Sequence, residues 1–168
     1  PGAVTDANGE YVELYNKGTG TYNLQGLILK DNGTDSHTIS SSLIITPGNY
    51  IVLCRNSNSS ENGNFTCDYD CSSFVLTNSG DEVILEMQNG TVIDEVWYND
   101  TDWSVASGVS MSLDPSKFDA ALNDDPANWC ESTSTFGDGD KGTPGIANDD
   151  CGLLTCGCDN GTYNYTCG

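Results

Sequence analysis

Basic side chains are nearly absent from this 168-residue chain, with five Lys and Arg against 25 Asp and Glu and a formal net charge of -20. A nucleic-acid binder is thereby excluded, because every phosphate contact would work against the protein's own field. Docking on an anionic membrane surface is disfavoured for the same reason. Apolar runs of 18 residues or more are missing, so no segment reads as a membrane-spanning helix. Histidine is present once, at His37, and neither a Gly-X-Ser-X-Gly elbow nor a Cys-His arrangement occurs, which removes the common nucleophile patterns. Gly137-Asp138-Gly139-Asp140-Lys141-Gly142 is no phosphate loop, since Lys141-Gly142 runs into Thr143-Pro144 rather than opening a helix. The sequence starts at Pro1 without Met and shows no charged-then-apolar leader, so a signal peptide, if there was one, is expected to have been removed or to lie outside this sequence.

Cysteine, in contrast, is abundant. Cys54, Cys67, Cys71, Cys130, Cys151, Cys156, Cys158 and Cys167 make an even number in a short chain, the usage of an oxidising compartment. A thiolate metal site would want Cys-X2-Cys pairs or accompanying histidines, whereas the spacings are Cys67-X3-Cys71 and Cys156-X-Cys158. All eight are therefore expected to be disulfide cysteines, in one of 105 possible connectivities. Cys151, Cys156, Cys158 and Cys167 lie close enough together to form a local knot.

The apolar residues fall in short β-like clusters. Tyr11 to Tyr15 alternates, with Val12 and Leu14 on one face and Tyr11, Glu13 and Tyr15 on the other. Leu24 to Leu29 reads as a strand interrupted by Gly26, and Thr46-Pro47-Gly48-Asn49 turns into the strand Tyr50 to Cys54. Val83 to Leu85 and Val92 to Tyr98 flank Asn89-Gly90, a hairpin signal. No helical period lasts three turns. Many short strands with Gly, Asn and Ser between them predict an all-β sandwich. Trp97, Trp129, Val83, Leu85, Val52 and Leu53 are the expected core. Residues 55–66 read as a polar exposed loop and residues 115–141 as a long surface connection. Residues 149–168 read as a disulfide-rich tail appended to a domain at 1–148.

Two kinds of polar pattern have chemistry to offer. Asp6, Asn8 and Glu10 around Gly9 present oxygens at alternate positions, and Asp138 with Asp140 repeats the spacing, so weak calcium binding competes with a plain solvated acidic loop. Asn-X-Ser/Thr sequons occur at Asn32, Asn58, Asn64, Asn89, Asn99, Asn160 and Asn164. With 17 asparagines and 33 Ser or Thr in the chain, chance supplies about three sequons. Glycosylation explains the excess, although turn chemistry alone accounts for Asn89-Gly90 and Asn160-Gly161. In the tail, Asn160, Thr162, Asn164 and Thr166 fall on one face of an extended strand and Gly161, Tyr163, Tyr165 and Cys167 on the other. Tyr163 and Tyr165 are candidates for a strand that adds to a sheet edge, against the plainer reading of a stapled hairpin.

Read in order, these segments resemble the lamin tail domain. Gly9-Glu10-Tyr11-Val12-Glu13-Leu14-Tyr15-Asn16 is similar to that family's opening signature, and Leu24 to Asp31 to its next strand, with Leu27 where the family usually has Trp. Pro47-Gly48-Asn49-Tyr50, Leu76-Thr77-Asn78-Ser79-Gly80-Asp81-Glu82-Val83-Ile84-Leu85, Gly90 to Tyr98, Trp129 and Gly142-Thr143-Pro144-Gly145-Ile146-Ala147-Asn148 follow in the family's order. The resemblance spans about residues 9–148. It implies an immunoglobulin-like β-sandwich without an enzymatic role. The family's first strand normally precedes the Gly-Glu signature, so the resemblance further implies a first strand missing from the chain and completed by a neighbouring subunit.

These readings predict a non-enzymatic, extracellular structural subunit. It would be N-glycosylated, would require no cofactor, and would polymerise with copies of itself through donor-strand-like sheet-edge contacts, without nucleic-acid partners or membrane insertion. Either the tail or Pro1 to Asp6 would be the exchanged strand. The alternative is a calcium- or glycan-binding targeting module of a larger secreted protein. A third reading makes the high acidity an adaptation to high salt.

Overall fold

A computed structural model describes residues 1–152. A single helical turn, α1 (Asp6–Gly9), leads into β1 (Tyr11–Tyr15); β2 (Tyr22–Asn23), β3 (Ile28–Lys30), β4 (Ser36–Thr38), β5 (Ile44–Ile45), β6 (Tyr50–Cys54), β7 (Tyr69–Asp70), β8 (Gly80–Glu86) and β9 (Val92–Asn99) follow. Beyond them come β10 (Met111–Leu113), two 3₁₀ turns (Pro115–Lys117 and Pro126–Asn128), β11 (Trp129–Glu131), β12 (Thr135–Phe136) and β13 (Asp140–Lys141). Each 3₁₀ turn opens with Pro, and the side chain of the preceding Asp accepts a backbone N–H, from Ser116 onto Asp114 and from Ala127 onto Asp125.

Two sheets form the sandwich. One has the order β1-β6-β7 and the other β4-β3-β8-β9, while β2 pairs with β5 in a small ribbon. Leu24, Leu29, Ile39, Ile45, Ile51, Leu53, Cys71 and Phe74 fill the space between, with Val12, Leu14 and Val83 packed against them. The continuous apolar run of β6 has a reason in this arrangement. Ile51 and Leu53 face the sandwich core, and Val52 and Cys54 face a second cluster with Phe65, Tyr11 and Phe136. A strand buried on both faces has no position to spare for a polar residue.

The second cluster exists because residues 101–148 pack on the outer side of β1 and β6. Every outward residue of β1 is gripped from that segment. The Tyr11 hydroxyl is 2.7 Å from Ser110 Oγ, Gly145 N–H donates to Glu13 Oε2, and the rings of Tyr15 and Phe118 lie 4.5 Å apart. The expected surface connection over 115–141 is thus corrected: it contains β11, β12 and β13 and contributes Phe118 and Phe136 to packing. Its signal was masked because its apolar residues are isolated aromatics rather than an alternating run. The 55–66 loop is exposed over most of its length, yet Asn62 and Phe65 are buried, with Asn62 bonded to the Phe65 backbone in both directions.

Two further expectations change. Leu24 to Leu29 is not one broken strand: the chain turns at Gly26, whose φ is +90°, and β3 begins only at Ile28. Trp97 is no core residue. It stands opposite Glu82 and is 49% exposed, while its neighbour Tyr98, one step along the pleat, points inward at 9%. A period-two strand puts adjacent residues on opposite faces, and Tyr98 takes the inner one. Val52, Leu53 and Leu85 are buried, Val83 packs against the core, and Trp129 is half-buried against Trp103.

Candidate functional site

The longest strand, β9, is also the outermost of its sheet. Its hairpin with β8 turns at Asn89-Gly90, where Gly90 takes φ +84° and Asn89 Oδ1 accepts the Thr91 N–H. Alternate residues of an antiparallel edge strand turn their N–H and C=O groups away from the sheet. Along β9 no second strand pairs with them among the described residues. The face beside this edge is uncovered. Ile93 and Trp97 are 39% and 49% exposed, Val92 is 45% exposed across the register shift that leaves Ile93 unpaired, and the Trp97 indole N–H donates to Glu95 at 3.2 Å. Lys30 pairs with Glu86 at 2.8 Å on the same sheet. The other edge strands are blunted by length, β4 having three residues and β7 two. Strand β1 is outermost in its own sheet, but all five of its residues are half-buried.

At its inner end β9 is held by the covering segment. Asn123 Nδ2 donates to both carboxylate oxygens of Asp94 at 3.0 Å, and burial pushes the Asp94 carboxyl up from its ordinary value. Just past β9, Trp103 stacks on Trp129 with ring centroids 5.3 Å apart.

Histidine finds partners that spacing along the chain did not reveal. His37 Nδ1 is 2.8 Å from Ser73 Oγ, Nε2 is 3.3 Å from the Tyr69 hydroxyl, and that hydroxyl accepts the Ser40 N–H at 2.9 Å. These contacts tie β4 to β7 and so join the two sheets. Ser73 gives its own hydrogen to the Ser36 carbonyl, which leaves it an acceptor for the ring N–H rather than a nucleophile activated by it. The depressions lined by Trp103 and Trp129 and by Glu10 and Leu76 are each about one water in size.

Four of the five proposed calcium ligands, Asp6, Asn8, Glu10 and Asp140, have hydrogen-bond donors on their side-chain oxygens. Glu10 is buried, pairs with Arg55 Nη1 at 2.8 Å and accepts the Leu76 N–H. Asn8 accepts from Asn56 and Asp6 from Asn78. Asp140 accepts the N–H groups of Gly2 and Ala3, while Asp138 donates its backbone N–H to the Gly63 carbonyl. Among the described residues no cluster of three or more His, Cys, Asp or Glu side chains is placed to hold a metal ion.

Among the described residues two disulfides are formed, Cys54–Cys67 and Cys130–Cys151. Cys151 therefore bonds to β11 in the body and not within a knot of tail cysteines. Cys71 belongs to neither pair. It is buried in the sandwich core, has no disulfide partner among the described residues, and burial raises its thiol to about 12. Cys156, Cys158, Cys167, Asn160, Asn164, Tyr163 and Tyr165 lie outside the described residues. Of the remaining sequons, Asn32, Asn58, Asn64 and Asn89 are exposed, and Asn99 is half-buried with its amide donating to Asp102.

A family model of the lamin tail domain matches residues 2–100. The chain belongs to the lamin tail domain family. The matched region is the immunoglobulin-like β-sandwich itself, ending one residue past β9. The covering segment after residue 100 lies beyond the match, although the sequence resemblance extends to Asn148. No curated protein matches the chain. Among the described residues no helix is long and apolar enough to cross a membrane. The lamin tail sandwich is generally a non-catalytic scaffold, and its disulfides fit a secreted protein.

Proposed function

We propose that this lamin tail protein is a non-enzymatic structural subunit of an extracellular, N-glycosylated assembly, built by copies of the chain joining through sheet edges. The observation that carries this reading is β9: outermost in its sheet, paired in regular register with β8 from Asp94 to Asn99 with a register shift at Ile93, and carrying exposed Val92, Ile93 and Trp97. Such an edge is a template for pairing with another strand, and natural sheets ordinarily blunt it. A contact between an edge on one copy and a different strand of the next is heterologous, and it builds an open filament wherever successive rotations do not close a ring. Two disulfides and the surplus of sequons support the extracellular setting. Among the described residues, the water-sized depressions and the hydrogen-bonded Ser73 support the non-enzymatic reading, which calls for no cofactor.

Negative-stain electron microscopy of the native, unreduced protein tests this directly. Regular filaments or sheets with a subunit-sized repeat are expected. Monodisperse single particles at every concentration would refute the reading and favour a calcium- or glycan-binding module of a larger secreted protein.

A further inference from the structure

We propose that the strand seated on β9 is residues 160–167 of a neighbouring copy. This inference rests on the assembly reading above and names the two surfaces that meet.

Length is the first argument. Asn160 to Cys167 is an eight-residue segment of strict alternation, and β9 has eight residues. Charge is the second. Asp94, Glu95, Asp100 and Asp102 lie along or just past β9, and Lys30 is the one basic residue of its sheet. Of the 25 acidic residues in the chain, only Asp159 lies beyond residue 152, so 160–167 is a long uncharged segment in a chain of net charge -20. A strand from the body of a second copy would bring like charge against this edge, at a cost that directly opposed residues make unfavourable. Chemistry of the faces is the third. An added strand places Tyr163 and Tyr165 on one side, where aromatic rings meet Trp97 and Ile93, and Thr162 and Asn164 on the other.

Reach is the fourth. The Cys130–Cys151 disulfide anchors the start of the tail to β11, whose Trp129 stacks on Trp103 beside the end of β9. Residues 152–159 span about 26 Å when extended, enough to cross to an adjoining subunit. A tail laid on its own β9 would satisfy the edge within the monomer and leave no free edge for assembly. Exchanged between copies, the same contacts join them.

The test places a photo-crosslinking phenylalanine analogue at exposed Ile93 in the full chain, with its disulfides intact. Chains labelled with ¹⁵N are mixed with unlabelled ones before assembly, and the crosslinked peptides are read by mass spectrometry. Crosslinks from position 93 to peptides within 160–167, about half of them of mixed isotope as random pairing requires, are expected. Crosslinks to 160–167 that are never mixed, or crosslinks in assembled material to any other segment, overturn the inference while leaving the assembly reading intact. A chain that stays monomeric overturns both. Ile93→Lys provides a second readout. Because Ile93 is exposed, its melting temperature should stay within a few degrees of the parent, while assembly slows at least tenfold; unchanged assembly would count against β9 as the acceptor.

Discussion

Replacing Glu13 by Gln should make the protein more stable at neutral and alkaline pH and remove much of its pH dependence there. Glu13 lies on the outward face of β1 beneath the covering segment, where burial raises its carboxyl to about 7 from an ordinary 4.5. The Gly145 N–H donated to it acts in the opposite direction, and the Asp68 carboxylate nearby raises it further. Tyr50, also close by, has its phenol raised by burial and stays neutral throughout this range. Between pH 4.5 and 7 the folded state therefore holds a proton that the unfolded chain has lost. Stability must then fall as pH rises across that window. At 1.36 kcal/mol per pKa unit the effect amounts to about 3 kcal/mol when fully expressed. Gln is neutral at every pH and retains an oxygen for the Gly145 N–H, so it removes the charge without losing the contact. Denaturant midpoints of parent and Glu13→Gln, measured from pH 4 to pH 8.5, should nearly coincide at the acid end and separate by about 2–3 kcal/mol above pH 7, with the variant more stable. Parallel pH profiles, or a variant less stable at pH 8, would refute the burial argument.

Two other predictions concern the body of the protein. Gly137 sits at φ +48°, and a Cβ there would lie 1.8 Å from the Gly63 carbonyl oxygen; Gly137→Ala should therefore lose at least about 3 kcal/mol in thermal or chemical melts, and a neutral result would mean the two loops do not meet as described. Mass spectrometry of peptides released by a glycosidase in ¹⁸O water, using protein from its source, should find sugar at exposed Asn32, Asn58, Asn64 and Asn89 and lower occupancy at Asn99, whose amide is held by Asp102. High occupancy at Asn99 with none at the exposed four would show that local exposure does not govern modification here.

Much of the sandwich was readable from local pattern. The β8–β9 hairpin follows from apolar alternation around Asn89-Gly90, and β6 from an apolar run between turn residues, because both signals concern neighbours a few residues apart. Pro144-Gly145 is likewise a local turn signal, and Gly145 takes φ +82° with the Ile146 N–H donating to the Thr143 carbonyl. What local pattern misjudged depends on contacts far along the chain. Trp97 has a core residue's composition, but which face of β9 is covered depends on Leu29 packing behind Leu85 on the neighbouring strands. Residues 115–141 look like loop because their order comes from Phe118 and Phe136 packing on Tyr15 and Tyr11 of β1, far earlier in the chain. His37 acquired its partners only when β4 and β7 were brought together across the two sheets.

The candidate site divides the same way. Composition and spacing by themselves determined the acidity, the abundance of cysteine, the surplus of sequons and the alternating, charge-poor tail. Those are properties of residues counted or spaced along one chain, and folding does not alter them. Only the tertiary structure decided that Cys151 bonds to Cys130, that Glu10 pairs with Arg55 and Asp140 accepts backbone N–H groups, and that β9 is left as a long outer strand. Each of those depends on which segments become neighbours in space. Strand order in a sheet is set by the burial of whole faces against one another, and no short stretch of sequence carries it.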